Sequence, residues 1–156
     1  MILKPEQIDA VEPTIKSTRV ICLALIVGVA IANITIFAFT NWNLINTKLD
    51  GIGIVVLACG ILMYAMSFVI PDLITCKQPA SKTDQQRLLR LANDYQRKTL
   101  VQYSLLEGAA FMNLILFLVT QNVLLLGMVV LALVQMIAVF PKLDSIYVWI
   151  GDRLSD

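Results

Sequence analysis

Four long apolar runs dominate the chain: Val20 to Phe39, Ile52 to Ile70, Leu100 to Val119 and Val123 to Phe140. Each is close to the roughly 20 residues a helix needs to cross a hydrocarbon core. The pattern predicts an all-α polytopic membrane protein with transmembrane helices over 20–39, 52–70, 100–119 and 123–140. These spans leave no room for another domain among residues 1–156, which are expected to form one membrane domain. The opening stretch MILKPEQIDAVEPTIKSTR is polar and holds Pro5, Pro13, Glu6, Asp9 and Glu12. It lacks the short apolar core of a cleavable signal peptide, and the first span is expected to remain as a membrane helix.

Helical spacing continues in the polar segments. In residues 72–99 a loop around CKQPASKTD, marked by Pro79 and Ser81, precedes TDQQRLLRLANDYQRK. There Thr83 and Gln86 match a capping box, and Leu88, Leu91, Ala92 and Tyr95 fall opposite Arg87, Arg90, Asp94 and Arg97. The tail, 142–156, sets Leu143, Ile146, Tyr147, Ile150 and Leu154 on one stripe, with Tyr147 and Trp149 suited to the headgroup level. Both segments predict amphipathic helices on the cytoplasmic side. They are expected to seat the bundle at the membrane surface, with extension of the third span into a cytoplasmic arm as the alternative for the first.

A repeat runs through the spans. At a shift of 80, LIVGVAIANITIFAFT meets LLEGAAFMNLILFLVT, pairing Leu25, Gly28, Ala30, Asn33, Phe37 and Thr40 with Leu105, Gly108, Ala110, Asn113, Phe117 and Thr120. At a shift of 70, MSFVIPDL meets MIAVFPKL, pairing Met66, Val69, Pro71 and Leu73 with Met136, Val139, Pro141 and Leu143. A two-span unit returns the chain to its starting side, so the prediction is two tandem parallel hairpins related by an axis along the membrane normal. Ala24, Gly28 and Ala32, with Ser104 and Gly108, follow small-xxx-small spacing and predict a central contact between spans one and three. Asn33 and Asn113 are expected to hydrogen-bond across helices.

Composition agrees: 58% hydrophobic and 15% charged residues lie far from a soluble domain. Charge sets the orientation. Lys4, Lys16 and Arg19 precede the first span; Lys77, Lys82, Arg87, Arg90, Arg97 and Lys98 lie between the second and third; Lys142 and Arg153 follow the fourth. Only Lys48 of the 12 cations falls on the other side. The positive-inside rule then places both termini in the cytoplasm, in what we read as a bacterial inner membrane. The outer face is Thr40 to Gly51 and a tight turn at Thr120, Gln121 and Asn122.

The chain has no histidine, which removes Ser-His-Asp and Cys-His nucleophiles and imidazole metal ligands. Cys22 and Cys59 fall inside spans, and Cys76 lies on the cytoplasmic side. No phosphate loop or CxxC pair is present, and the cation excess follows from topology rather than nucleic acid. Catalytic residues, a metal and a cofactor are therefore not expected. The expected partners are the lipid bilayer and either further copies of the chain or other membrane subunits.

One residue stands against the pattern. Glu107 lies in QYSLLEGAAFMNL, about 11 Å inside the cytoplasmic end of span three at 1.5 Å per residue. A carboxylate in the membrane costs several kcal/mol, so it is expected to face the bundle interior, find partners or carry a proton. Gln135, some 8 to 9 Å from its own span end, together with Tyr64, Ser67 and Tyr103, is expected to form a polar layer with it. Val27 and Ala65 occupy the repeat positions of Glu107 and Gln135. Structural satisfaction and an ion-linked role both remain open.

Residues 90–119, RLANDYQRKTLVQYSLLEGAAFMNLILFLV, resemble the loop and acid-bearing helix of the c-type proteolipids of rotary ATP synthases. That resemblance implies Glu107 as an ion-carrying acid. The chain as a whole is similar to small four-span bacterial membrane proteins sharing a third helix like LLEGAAFMN, a likeness that implies a fold and no activity. The small multidrug resistance transporters are also four-span with a membrane Glu, but carry it in the first helix. The expected function is a structural or accessory subunit, homo-oligomeric or within a larger complex. The alternatives are an ion-translocating proteolipid and a small-molecule exporter.

Overall fold

A computed structural model describes residues 5–40, 47–48, 51–74 and 84–155. Five helices follow in order: α1 (Pro5–Phe39), α2 (Gly51–Ile74), α3 (Asp84–Thr120), α4 (Val123–Ala138) and α5 (Leu143–Ser155). Three helices, Glu6–Phe39, Gly51–Leu73 and Gln85–Thr120, are long and apolar enough to cross a membrane. Joined across a bend of 66°, α4 and α5 bring the total to as many as four. The loop before α3, with Cys76, Pro79, Ser81 and the cap position Thr83, lies outside the described residues.

The buried positions of each helix recur at alternating steps of four and three. On α1 they are Val11, Ile15, Thr18, Cys22 and Val29, with Leu25, Ala32 and Ile36 half-buried on the same line. On α4 they are Leu125, Val129, Ala132 and Met136. On α2 they are Gly53, Gly60 and Ser67, with Leu57 and Tyr64 half-buried between them. This is the 3.5-residue period of a left-handed supercoil, which keeps one seam facing inward along the whole helix. Helix α3 carries more than a seam: Tyr103, Leu106, Ala109, Ala110, Asn113, Leu114 and Phe117 are all buried.

The reason is that α3 is the hub. It packs on α1, α2 and α4, most extensively on α2. The expected contact between spans one and three is present. Within the first predicted hairpin, however, α1 and α2 make no substantial contact of their own. Gly53, Gly60 and Ser67 give α2 a low face, so its backbone approaches α3 more closely than large side chains would allow.

Repeat-related residues share some local geometry. Thr40 and Thr120 each donate their hydroxyl to the carbonyl four residues back, Ile36 at 2.8 Å and Leu116 at 2.9 Å. The prolines differ: α2 continues through Pro71 to Ile74, whereas α4 stops at Ala138, before Pro141.

The tight turn after α3 is built by Gln121 and Asn122. Gln121 takes φ 53° and donates its N–H to the Phe117 carbonyl at 2.7 Å. This is a left-handed helix end of the kind glycine normally supplies. Asn122 then caps α4, its side chain accepting from the Leu124 N–H at 3.0 Å. Because a Cβ is strained at this φ and the Gln121 Oε1 is buried without a partner among the described residues, Gln121→Gly should stabilise the hairpin by about 1 kcal/mol. A rise in the thermal midpoint in detergent checks it; a fall would show that the side chain's bond to the Leu118 carbonyl outweighs the strain.

Helices α1 and α3 have 35 and 37 residues, about 52 and 55 Å at 1.5 Å per residue. A hydrocarbon core is about 30 Å thick, so each overhangs it by some 20 Å. The overhanging ends do not run free. Val11 and Ile15 of α1, Leu88 and Ala92 of α3, and Ile146 and Ile150 of α5 form a second core cluster, separate from the first. Tyr95 meets Trp149 edge to face at 5.5 Å, and the Arg153 guanidinium lies 4.4 Å over the same indole. Arg87 closes the cluster by donating to the Arg153 and Leu154 carbonyls at 2.9 and 3.2 Å, which satisfies orphan groups at the end of α5. The three segments predicted to share a side thus assemble into a three-helix head.

Candidate functional site

The residues expected to form a polar layer sit on three helices, and backbone carbonyls claim most of their hydroxyls. Tyr103 is fully buried, and its hydroxyl donates to the Met136 carbonyl at 2.6 Å. Helix α4 ends two residues later, and the N–H that would have served Met136, that of Phe140, bonds Ile137 instead at 3.2 Å. Tyr103 therefore caps α4 from the side, supplying a donor to a carbonyl that has lost its helical one. Tyr103→Phe should cost about 1–2 kcal/mol and lower the thermal midpoint in detergent; an unchanged midpoint would show that water or lipid replaces the bond.

Ser67 donates to the Tyr64 carbonyl at 2.6 Å within its own helix, and Tyr64 meets Phe68 edge to face at 5.4 Å. Glu107 and Gln135 are both half-buried. Neither side chain makes a hydrogen bond or ion pair with any described residue. The expected Glu107–Gln135 pairing is thus not part of the described contacts, and the five residues do not join into one network. A hydroxyl bonded within its own helix or to a helix end has no proton left to offer a neighbouring carboxylate.

The small and amide residues are also distributed differently from the expectation. Gly28 lies in the open, with no described residue within 4 Å of where a Cβ would stand, and Ala24 and Ser104 are exposed. Ala32 is half-buried against the membrane core. The close approach occurs between α2 and α3. A Cβ at Gly60 would collide with the Asn113 Nδ2 and stand 3.2 Å from its Cγ, and one at Gly108 would stand 2.7 Å from the Met63 Cε. Asn113 is fully buried; its Nδ2 donates to the Ala109 carbonyl of its own helix at 2.8 Å, leaving Oδ1 buried without a partner among the described residues. Asn33 is half-buried and makes no hydrogen bond with the described residues. The amide of Asn113 fills a hollow left by a glycine instead of bridging helices by hydrogen bonds.

One polar residue carries a signal the sequence pattern does not expose. Arg19, at the start of the first run, places its guanidinium 5.7 Å from the Phe140 ring centroid, with Nε buried and unpaired among the described residues. Its neighbour across the break between α4 and α5 is 121 positions away in the chain, beyond the reach of local spacing. At the other cation-bearing junction Lys98 pairs with Asp72 across α3 and α2; the pair is largely exposed and worth at most about 1 kcal/mol.

Among the described residues no group of three or more His, Cys, Asp or Glu is placed to hold a metal ion. Cys22 is buried, Cys59 exposed, and neither is in a disulfide. Comparison with protein-family models, with curated proteins and with solved structures finds no match to this chain.

Proposed function

We propose that this is a small integral membrane protein that serves as a structural or accessory subunit, assembling through the outward face of α1 with copies of itself or with a larger membrane complex. One observation carries the reading. Ala24, Gly28, Ile31, Thr35 and Ala38 recur at steps of four and three and are all exposed on the outside of the bundle. A mainly small stripe at this spacing lets a second helix approach closely, and within lipid such packing is a principal source of helix association.

In this reading α4 and its break make the fourth span, and the spans form two tandem hairpins. The polar faces of α5 and the first part of α3 are amphipathic surfaces on the cytoplasmic side of a bacterial inner membrane. Assembly of three cation-bearing segments into one head supports placing both termini on that side.

Native mass spectrometry of protein extracted gently from its own membrane tests the assignment. Multiple copies or stoichiometric larger subunits are expected; a bare monomer at every detergent concentration would sink it. Gly28→Leu sharpens the test, because a Cβ there stands more than 4 Å from every described residue and the side chain starts from the exposed face. It should disrupt assembly while leaving the monomer's thermal midpoint unchanged or raised, since glycine costs a helix interior about 1 kcal/mol.

A second reading has an observation of its own. Glu107 has no partner among the described residues, which favours an exchangeable proton or ion over a carboxylate locked into packing. As an ion-translocating proteolipid the protein would form a ring of many copies, and Glu107→Gln would abolish ion flux in reconstituted vesicles with the ring intact. Unchanged flux would remove the reading.

A further inference from the structure

The unpaired cation at the junction of head and membrane bundle indicates what lies against it. Arg19 immediately precedes Val20, the first residue of the α1 apolar run, and is therefore at the polar boundary of the span. A guanidinium is always ionised. Here it makes no hydrogen bond or ion pair with any described residue; its Nε is covered, and its face is held against Phe140. Nε is covered, so compensation of the charge falls on the Nη groups of this half-buried side chain. The Glu12 carboxylate, two turns earlier on α1, is already paired with Lys16 at 2.9 Å. Two residues past Phe140, Lys142 is exposed on the break between α4 and α5 and adds a second positive charge. On the membrane side the surface turns apolar at once, with Val20 67% and Leu23 53% exposed.

A guanidinium held on Phe140, with an exposed lysine two residues along the break and an apolar wall beside it, is complementary to one class of molecule, an amphiphile with an anionic phosphate head. We infer that Arg19 and Lys142 hold the headgroup of an anionic phospholipid at the break between α4 and α5, with its acyl chains along Val20 and Leu23. The planar guanidinium accommodates a phosphate through two parallel hydrogen bonds, and Phe140 keeps it oriented for that contact. The head then gains an anchor at the point where the chain turns from bundle to α5. This inference rests on the membrane-spanning reading.

The test uses the full-length protein in neutral-detergent micelles doped with phosphatidylglycerol or with phosphatidylcholine, and native mass spectrometry counts the lipid each chain retains. Phosphatidylglycerol should be retained about five-fold over phosphatidylcholine, the equivalent of roughly 1 kcal/mol for a basic residue at an anionic surface. Arg19→Gln should bring the ratio close to one, Lys142→Gln should lower it, and Lys16→Gln should leave it unchanged. Equal retention of both lipids by the unaltered protein, or a preference that survives both Arg19→Gln and Lys142→Gln, overturns the inference. If Arg19→Gln does not fold, the unaltered protein and Lys142→Gln decide. Inorganic phosphate binding with no preference between lipids would make this a free-anion site and equally overturn the lipid assignment. Alkaline carbonate extraction of the native membrane separates failure of the lipid site from failure of the membrane reading. Release into solution defeats the membrane reading, whereas an integral protein without lipid preference defeats this inference alone.

Discussion

Gly60→Ile should separate α2 from α3, whereas Gly108→Ala should be nearly silent, although both glycines sit at the same interface. At Gly60 the first added carbon meets the amide of Asn113, which is fully buried and tied to the Ala109 carbonyl. Moving that amide breaks its hydrogen bond in a medium without water to replace it. Overpacking adds a further 1–3 kcal/mol, and the total loss should be on the order of 3 kcal/mol. At Gly108 the obstacle is the terminal methyl of Met63, the end of a side chain with three rotatable bonds that re-packs easily. Comparing unfolding of the two variants in mixed micelles, with hydrogen exchange of α2 as the local readout, checks the pair. Equal effects would mean that Asn113 yields as readily as Met63.

The second large effect belongs to the head. Ile150→Asp places a carboxylate at a fully buried position between α5, α1 and α3. Burying an unpaired charge costs several kcal/mol, and truncating an isoleucine alone costs about 2–5. This exceeds what the Arg87 contacts and the Tyr95–Trp149 pair return, and α5 should detach. Because the head cluster and the membrane cluster share no buried residue, the damage should stop at the break. Limited proteolysis is expected to remove residues after Lys142 while the thermal midpoint of the remaining bundle stays within a few degrees. A variant in which the bundle unfolds together with α5 would show that the two cores are one cooperative unit.

Much of the architecture is legible in the amino-acid sequence, because hydrophobic run length acts locally: a span of about 20 apolar residues needs no partner to declare itself. The stripe Leu143, Ile146, Tyr147, Ile150, Leu154 is equally readable, and Ile146 and Ile150 are fully buried. The N-terminal arm is harder. Ile8, Val11 and Ile15 have helical spacing, but Pro13 argues against a helix, lacking an N–H and crowding the preceding turn. The first helix runs through it nevertheless, because burial of Val11 and Ile15 against α3 and α5 outweighs a local defect on an exposed side.

The candidate site is less readable, and the reasons are geometric. Depth arithmetic puts Glu107, Gln135, Tyr64, Ser67 and Tyr103 at similar levels, yet level does not determine which way a side chain points. The Tyr103 hydroxyl is drawn to the end of α4 by an orphan carbonyl, a demand that exists only because α4 stops at Ala138. Small-residue spacing behaves likewise. Ala24–Gly28–Ala32 and Gly53–Gly60–Ser67 both have the spacing of packing faces, and spacing alone cannot rank them. Helix α2 turns the second of them toward α3, and Gly28 is left outside.

Features that depend on single segments are thus encoded locally: the apolar helices, the predicted side of the membrane for each cationic stretch, and the apolar stripe of the tail. Partition into lipid and the positive-inside bias act on each segment one at a time. Features that depend on pairs of segments far apart in the chain emerge only on packing: α3 as the hub, Gly60 beneath Asn113, Tyr103 at the end of α4, and Arg19 across from Phe140. Steric fit and hydrogen-bond satisfaction are properties of surfaces brought together, and no single stretch of sequence contains them.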